Sequence, residues 1–184
     1  MRRSLAFAAL ALPALACQTT QAATDGGCVD AGANTVCGGP QGFNVAFAGL
    51  DFPELDDGGN PIPNVLDVVL ADHDLSAACS ATGAVPLPAF TAVDIRVEGY
   101  TLPVDAGVYT SPTVLASEFS WSDGGTTLLG ESDETWVQIE SVTNQAAVGY
   151  FTADMALPTS GLVSMWGDFS ATSCQGLHTA LGSQ

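Results

Sequence analysis

The side chains best able to do chemistry in this chain are Asp72-His73-Asp74, the acidic turn Asp56-Asp57-Gly58-Gly59-Asn60-Pro61, the isolated Arg96, and five cysteines. A histidine between two carboxylates has the right chemistry for a metal ligand or a base. Adjacent residues on a strand point to opposite faces, so the trio does not converge unless a turn or helix begins there, and His73 reads as an exposed side chain near a strand end. The other histidine, His178, lies in the glycine-rich tail. The Asp56-Asp57 cluster offers oxygens to calcium but lacks the alternating ligand spacing and downstream Glu of an EF-hand, and it reads as a solvated turn. Arg96 stands two residues from both Asp94 and Glu98, where local charge balance accounts for it. No Gly-x-Ser-x-Gly elbow, HExxH helix or phosphate-cradling glycine loop is present. Acidic pairs such as Asp133-Glu134 do not by themselves give the two carboxyls held ~5–10 Å apart that a glycosidase needs. The sequence therefore assigns no catalytic, cofactor-binding or metal-ligating residue, and a non-enzymatic role is expected.

Cysteine chemistry says more. Cys17 closes the segment MRRSLAFAALALPALAC, in which Arg2 and Arg3 precede an apolar stretch over residues 5–16. That stretch is too short to span a bilayer and has the shape of a secretory signal, so residues 1–16 are expected to be a signal peptide. Ala14-Leu15-Ala16 is a small-x-small triplet that ordinary signal peptidase can cut, which would leave Cys17 as a free first residue. Leu15-Ala16-Cys17 also resembles a bacterial lipobox, with Ala14 where Leu is preferred and Leu15 where a smaller residue is usual. Five cysteines would leave one unpaired thiol in an oxidising compartment, whereas giving Cys17 to lipid leaves the even set Cys28, Cys37, Cys79 and Cys174. The expectation is a Cys17 carrying diacylglyceryl and an N-acyl group such as palmitate. Several acyl chains, at ~0.8 kcal/mol per CH₂, hold a protein on a membrane stably. Gln18 after the cysteine, rather than Asp, points to the outer membrane if the source cell is Gram-negative. A secreted or periplasmic protein is the alternative.

Beyond the signal, twenty acidic residues face a single basic one, Arg96, and the chain has no lysine. Such a surface repels phosphate backbones and anionic headgroups, so no nucleic-acid partner is expected and membrane contact falls to the lipid alone. High negative charge can signal disorder. Three tryptophans, eight phenylalanines and a 47% hydrophobic composition argue for a folded domain instead. About 168 residues remain after cleavage, enough for one domain with a real core.

Residues 17–42 are rich in glycine and small polar residues and read as a lipid-anchored tether. Cys28 and Cys37 lie close enough within it to bridge, closing a loop worth ~2.5 kcal/mol. Half of a metal site is the other reading, with no histidine nearby and an export route that favours oxidation. From residue 43 to 184 the pattern is of short strands and turns. Residues 43–47 and 65–70 read as strands. FTAVDIRVEGY over 90–100 alternates Val93, Ile95 and Val97 against Asp94, Arg96 and Glu98. Short strands are also expected at 107–109 and 119–121, and Val137 and Ile139 mark another in WVQIESV. Gly149-Tyr150-Phe151-Thr152-Ala153 recurs as Gly167-Asp168-Phe169-Ser170-Ala171, and an antiparallel hairpin centred near Ser160 sets Phe151 opposite Phe169, Ala153 opposite Gly167 and Met155 opposite Met165. A helical turn is expected near residues 74–79. The whole predicts an all-β domain, a single antiparallel β-sandwich or partly open barrel of about eight short strands.

VLDVVLADHDLSAAC, the Gly-x-Tyr of residues 107–109, WVQIESV and the paired Gly-x-Phe-x-Ala hairpin ending in Cys174 resemble a group of bacterial cell-envelope lipoproteins with β-rich domains and a late cysteine. The similarity covers roughly residues 43–175. It implies a cell-envelope β-domain without a catalytic residue to carry over, and a Cys79–Cys174 bridge closing a loop worth ~4.7 kcal/mol. The expected function is a lipid-anchored structural or interaction module whose partner is a protein or surface polymer. The alternative is an exported calcium-dependent ligand-binding or hydrolytic β-domain.

Overall fold

The computed structural model describes residues 34–52, 64–80, 85–99, 103–122, 125–158 and 161–181. Within them the chain forms ten strands: β1 (Thr35–Gly38), β2 (Phe43–Asn44), β3 (Phe47–Asp51), β4 (Val65–Ala71), β5 (Phe90–Glu98), β6 (Gly107–Thr110), β7 (Val114–Ser122), β8 (Gly125–Val142), β9 (Ala146–Ala156) and β10 (Leu162–Ser173). A 3-10 turn at Ser76–Ala78 and a short helix, α1 (Leu177–Leu181), complete the fold. The all-β expectation holds, and the 3-10 turn falls where a helical turn was expected. Ten strands replace the expected eight, and they form one mixed sheet instead of two packed antiparallel ones. The segment 43–47 divides between β2 and β3, and β1 lies inside the stretch read as a tether. Its Val36 and Cys37 are buried by pairing with β10, a long-range contact to which local glycine content gives no clue.

The pairings run full circle. Strands follow β3–β4–β5–β7–β8–β9–β10, and β10 returns to β3. That last junction is parallel and only two residue pairs long, Thr172 with Gly49 and Ser173 with Leu50, extended by the Cys174 N–H donating to the Leu50 carbonyl at 2.8 Å. Every other pairing is antiparallel. β1 lies beside β10 next to this seam, and β6 lies beside β8. The ring is therefore uneven and is no clean barrel.

Alternation along the strands gives the sheet two buried surfaces. Inside the ring, Leu50, Leu66, Val68, Leu70, Val93, Ile95, Val97, Val137, Ile139, Phe151 and Phe169 pack together. Val93, Ile95 and Val97 thus face inward, as the alternation predicts. Outside the ring, at one end of β4, β5 and β7, Val69, Phe90, Phe119 and Trp121 pack under Leu75, Ala78, Cys174 and Leu177 from the 3-10 turn and α1. Phe90 stacks on Trp121 with ring centroids 6.1 Å apart. The Cys79–Cys174 disulfide fastens this outer layer, with Cα atoms 4.2 Å apart. Cys37 is also disulfide-bonded, to a partner outside the described residues. Cys17 and Cys28 lie outside them too.

The β9–β10 hairpin forms with its predicted face and a shifted register. Phe151 lies opposite Gly167, Phe169 opposite Gly149, Met165 opposite Ala153, and Val163 opposite Met155. Sliding by two residues keeps Phe151, Phe169, Met155 and Met165 inside and seats each phenylalanine over a glycine of the other strand. A Cβ at Gly167 would come within 2.9 Å of Phe151, and one at Gly149 within 2.8 Å of Phe169. Opposed phenylalanines would leave both glycine gaps unfilled. Gly161, with φ of +107°, turns the chain, and the Leu157 N–H donates to its carbonyl at 3.1 Å.

Candidate functional site

The outer surface of the sheet is covered on one side and open on the other. Where β8, β9 and β10 lie side by side, their outward residues form three rows across the strands. Trp136, Thr152 and Trp166 make the middle row; Glu134, Asp154 and Ser164 flank it on one side; Gln138, Tyr150 and Asp168 flank it on the other. Thr152, Asp154, Ser164, Trp166, Asp168 and Glu134 are exposed, and Trp136, Gln138 and Tyr150 are half-buried. A groove of about 460 Å³ runs between the two indoles, lined by Glu134, Trp136, Thr152, Asp154, Ser164 and Trp166.

Several contacts hold these side chains in place. Trp136 and Tyr150 lie with ring centroids 5.0 Å apart at an interplanar angle of 57°. The Tyr150 hydroxyl donates to Gln138 Oε1 at 3.0 Å, and the Ser164 hydroxyl donates to Asp154 Oδ1 at 2.8 Å. Trp166, 43% exposed, lies against Gly38, where a Cβ would come within 2.9 Å of its Cζ3. Gly38 has φ of +71°, a backbone that favours glycine. The face thus offers flat apolar rings beside carboxylate, amide and hydroxyl groups that can accept or donate hydrogen bonds.

The residues singled out in the sequence lie elsewhere. His73, on the segment after β4, has a side chain 52% exposed, and its Nδ1 lies 2.8 Å from Asp72 Oδ1. Asp72 Oδ1 also accepts from the Thr91 N–H at 2.9 Å, and Asp74 Oδ1 accepts from the Ser76 N–H at 2.9 Å. That amide and the Ser76 hydroxyl hold the Asp74 carboxyl below its ordinary range. Asp72 therefore meets both the imidazole and the β5 backbone, because the chain bends after β4, while Asp74 serves the local turn. Arg96, on β5, faces outward between Glu98, whose Oε1 is 3.4 Å from its Nε, and Asp67 of β4, whose Oδ2 is 3.9 Å from its Nη1. Charge balance at Arg96 thus extends across the strand pair to a buried acid. Beside it, burial pushes the Asp94 carboxyl up to about 8, aided by the Asp67 charge and opposed by Arg96. Among the described residues no three histidine, cysteine or acidic side chains gather as a metal site. The Asp56-Asp57 turn lies outside those residues, as does the side chain of His178.

One buried acid stands apart. Glu118 of β7 is 0% exposed and points into the ring beside Gly39 and Met165. Its carboxyl oxygens make no well-formed hydrogen bond among the described residues, the Gln41 backbone N–H approaching them without reaching full bonding geometry. Burial pushes this carboxyl up to about 8, with the Gln41 backbone N–H acting the other way.

The inward phenylalanines of the hairpin read as core from the sequence, and the residues between them form no local motif. The available signal was parity. Once Phe151 and Phe169 face inward, Tyr150, Thr152, Trp166 and Asp168 face outward, and a tryptophan at an outward position asks for a reason. No family model matches the chain, and no curated protein or solved structure matches it.

Proposed function

We propose that this chain is an exported, lipid-anchored binding module of the cell envelope, probing its surroundings with the open face of β8, β9 and β10. The domain is read as a partly open barrel, its ring of strands sealed by the short β10–β3 seam and stapled there by Cys79–Cys174. Cys17 supplies the anchor, Cys28 pairs with Cys37, and the acyl chains hold the protein at an outer membrane. The observation that carries the binding role is Trp166, a large indole left 43% exposed on a rigid strand beside Asp154 and Ser164. Burying such a ring is worth several kcal/mol, and a contact surface is the common reason to leave one out.

Two measurements test this. Intact mass of the mature N-terminus is expected to show a diacylglyceryl adduct on Cys17, and an unmodified Cys17 or another start refutes the anchor. The purified full chain carrying Cys17→Ala, which cannot be acylated, is expected to sediment with isolated envelope material and to lose that retention when Trp166 and Asp154 are both replaced by alanine. Retention unchanged by the double substitution refutes the binding face.

A further inference from the structure

We infer that the β8–β9–β10 face binds a neutral, extended polysaccharide, with Trp166 and Trp136 stacking on its sugar rings while Asp154, Glu134 and Asp168 accept hydrogen bonds from its hydroxyls. This deepens the proposed function and rests on its reading of that face as the contact surface. A pyranose ring has flat faces of C–H groups and a rim of hydroxyls. Its complement is an indole face with hydrogen-bond acceptors level with the ring edge, and the three rows supply that combination on one surface.

The spacing fits a chain better than a single sugar. Trp136 and Trp166 occupy the same row with only Thr152 between them, two strand spacings or about 10 Å apart. That is the reach from one ring to the next but one along an extended β-linked glycan, and the groove between the indoles has room for the intervening ring over the small Thr152 side chain. Both indoles are held before any ligand arrives, Trp166 on Gly38 and Trp136 on Tyr150. A platform ordered in advance loses little side-chain entropy on binding. Ser164 engages Asp154 Oδ1 and leaves Oδ2 available for the charge-assisted bonds that sugar hydroxyls form.

Charge narrows the ligand further. Glu134, Asp154 and Asp168 share the face, and the one basic residue outside the signal segment, Arg96, lies on β5, so an anionic glycan or phosphate meets repulsion with no cation to offset it. A cationic ligand prefers aromatic faces closed round its charge and shielded from water. Here the rings lie side by side on an open sheet.

The test uses the purified full chain, tryptophan fluorescence and calorimetry, and soluble hexasaccharides of β-1,4-glucose, β-1,4-xylose, β-1,3-glucose and β-1,4-N-acetylglucosamine. A polyuronate and a lysine-rich peptide serve as the anionic and cationic arms. At least one neutral hexasaccharide is expected to bind and shift the fluorescence. Trp166→Ala is expected to raise its Kd at least about tenfold, as truncation of a central aromatic anchor does. Asp154→Asn, at an exposed position, is expected to weaken binding with an unchanged melting temperature, which keeps the test valid if the tryptophan variant fails to fold. Binding of the peptide or polyuronate in preference to every neutral sugar overturns the proposal. So does neutral-sugar binding indifferent to both substitutions, and so does failure of all four sugars to bind. If all four fail while retention on envelope material still depends on Trp166 and Asp154, the ligand class falls and the binding face stands.

Discussion

Replacing Glu118 by glutamine should change how stability depends on pH more than it changes stability itself. The carboxyl is buried inside the ring, where the Gln41 N–H favours its charge too little to offset desolvation, and burial holds its proton up to about 8 where an ordinary glutamate lets go near 4.5. Between those values the unfolded chain has released this proton and the folded chain retains it. The unfolded state then binds fewer protons, so stability falls as pH rises, at ~1.4 kcal/mol per pH unit, and the fall from this group ends above about 8. Across the window the loss reaches ~5 kcal/mol at most, since relaxation and water entry reduce it. Asp94, raised to about 8 from 3.8, contributes in the same direction and stays in place in the variant. The assay is urea denaturation of wild type and Glu118→Gln at pH 5, 6, 7 and 8. Near pH 5 the neutral amide and neutral acid are nearly isosteric and the two proteins should agree to within ~1 kcal/mol. By pH 8 the variant should be more stable by several kcal/mol, its residual slope set by Asp94 and overall charge repulsion. Parallel curves from pH 5 to 8 would refute the reasoning, because they would mean that Glu118 ionises alike in both states.

Cys79→Ser should lower stability under oxidising conditions by up to ~4.7 kcal/mol and free the thiol of buried Cys174; thiol labelling in denaturant checks this, and no additional thiol refutes the pairing. Gly167→Ala places a methyl against the Phe151 ring and the Thr35 carbonyl and should cost ~1–3 kcal/mol in chemical denaturation, as overpacking does, and more than alanine at the open Gly125. Arg96→Met removes the cation facing buried Asp67 and should destabilise the protein by ~1–3 kcal/mol at pH 7; thermal melts of the variant beside wild type check the difference.

The sequence yields the local part of this structure and not the part made across the ring. β5 was legible because Val93, Ile95 and Val97 alternate without interruption. β8 was half legible: Val137 and Ile139 mark its end, but residues 125–135 carry register shifts against β7 and β9 that reset the alternation. A bulge flips which residues face inward, so a period-two reading fails at each one. β1 was invisible because TVCG has no pattern of its own and is a strand by lying between β10 and the two-residue β2. The hairpin's face followed from its sequence, while its register needed the fit of phenylalanine to glycine across strands. The candidate site was hidden for a related reason. Trp136, Tyr150 and Trp166 are far apart in sequence or wrong in parity for a local cluster, and only the β8–β9–β10 order sets them side by side.

The seam between β10 and β3 also bears on the order in which the fold is made. β3 has β4 as an early neighbour, but its other edge waits for Thr172 and Ser173, and β1 waits for residues 165–168 of the same strand. A growing chain, or one threaded through a pore from its amino end, therefore carries two unfilled strand edges until nearly its last residues arrive. Closing contacts over so long a stretch is slow, and open edges invite pairing with other chains. The Cys79–Cys174 bridge can form only once that strand is home, so it acts as a latch on the last step, converting a two-residue junction into a lasting one.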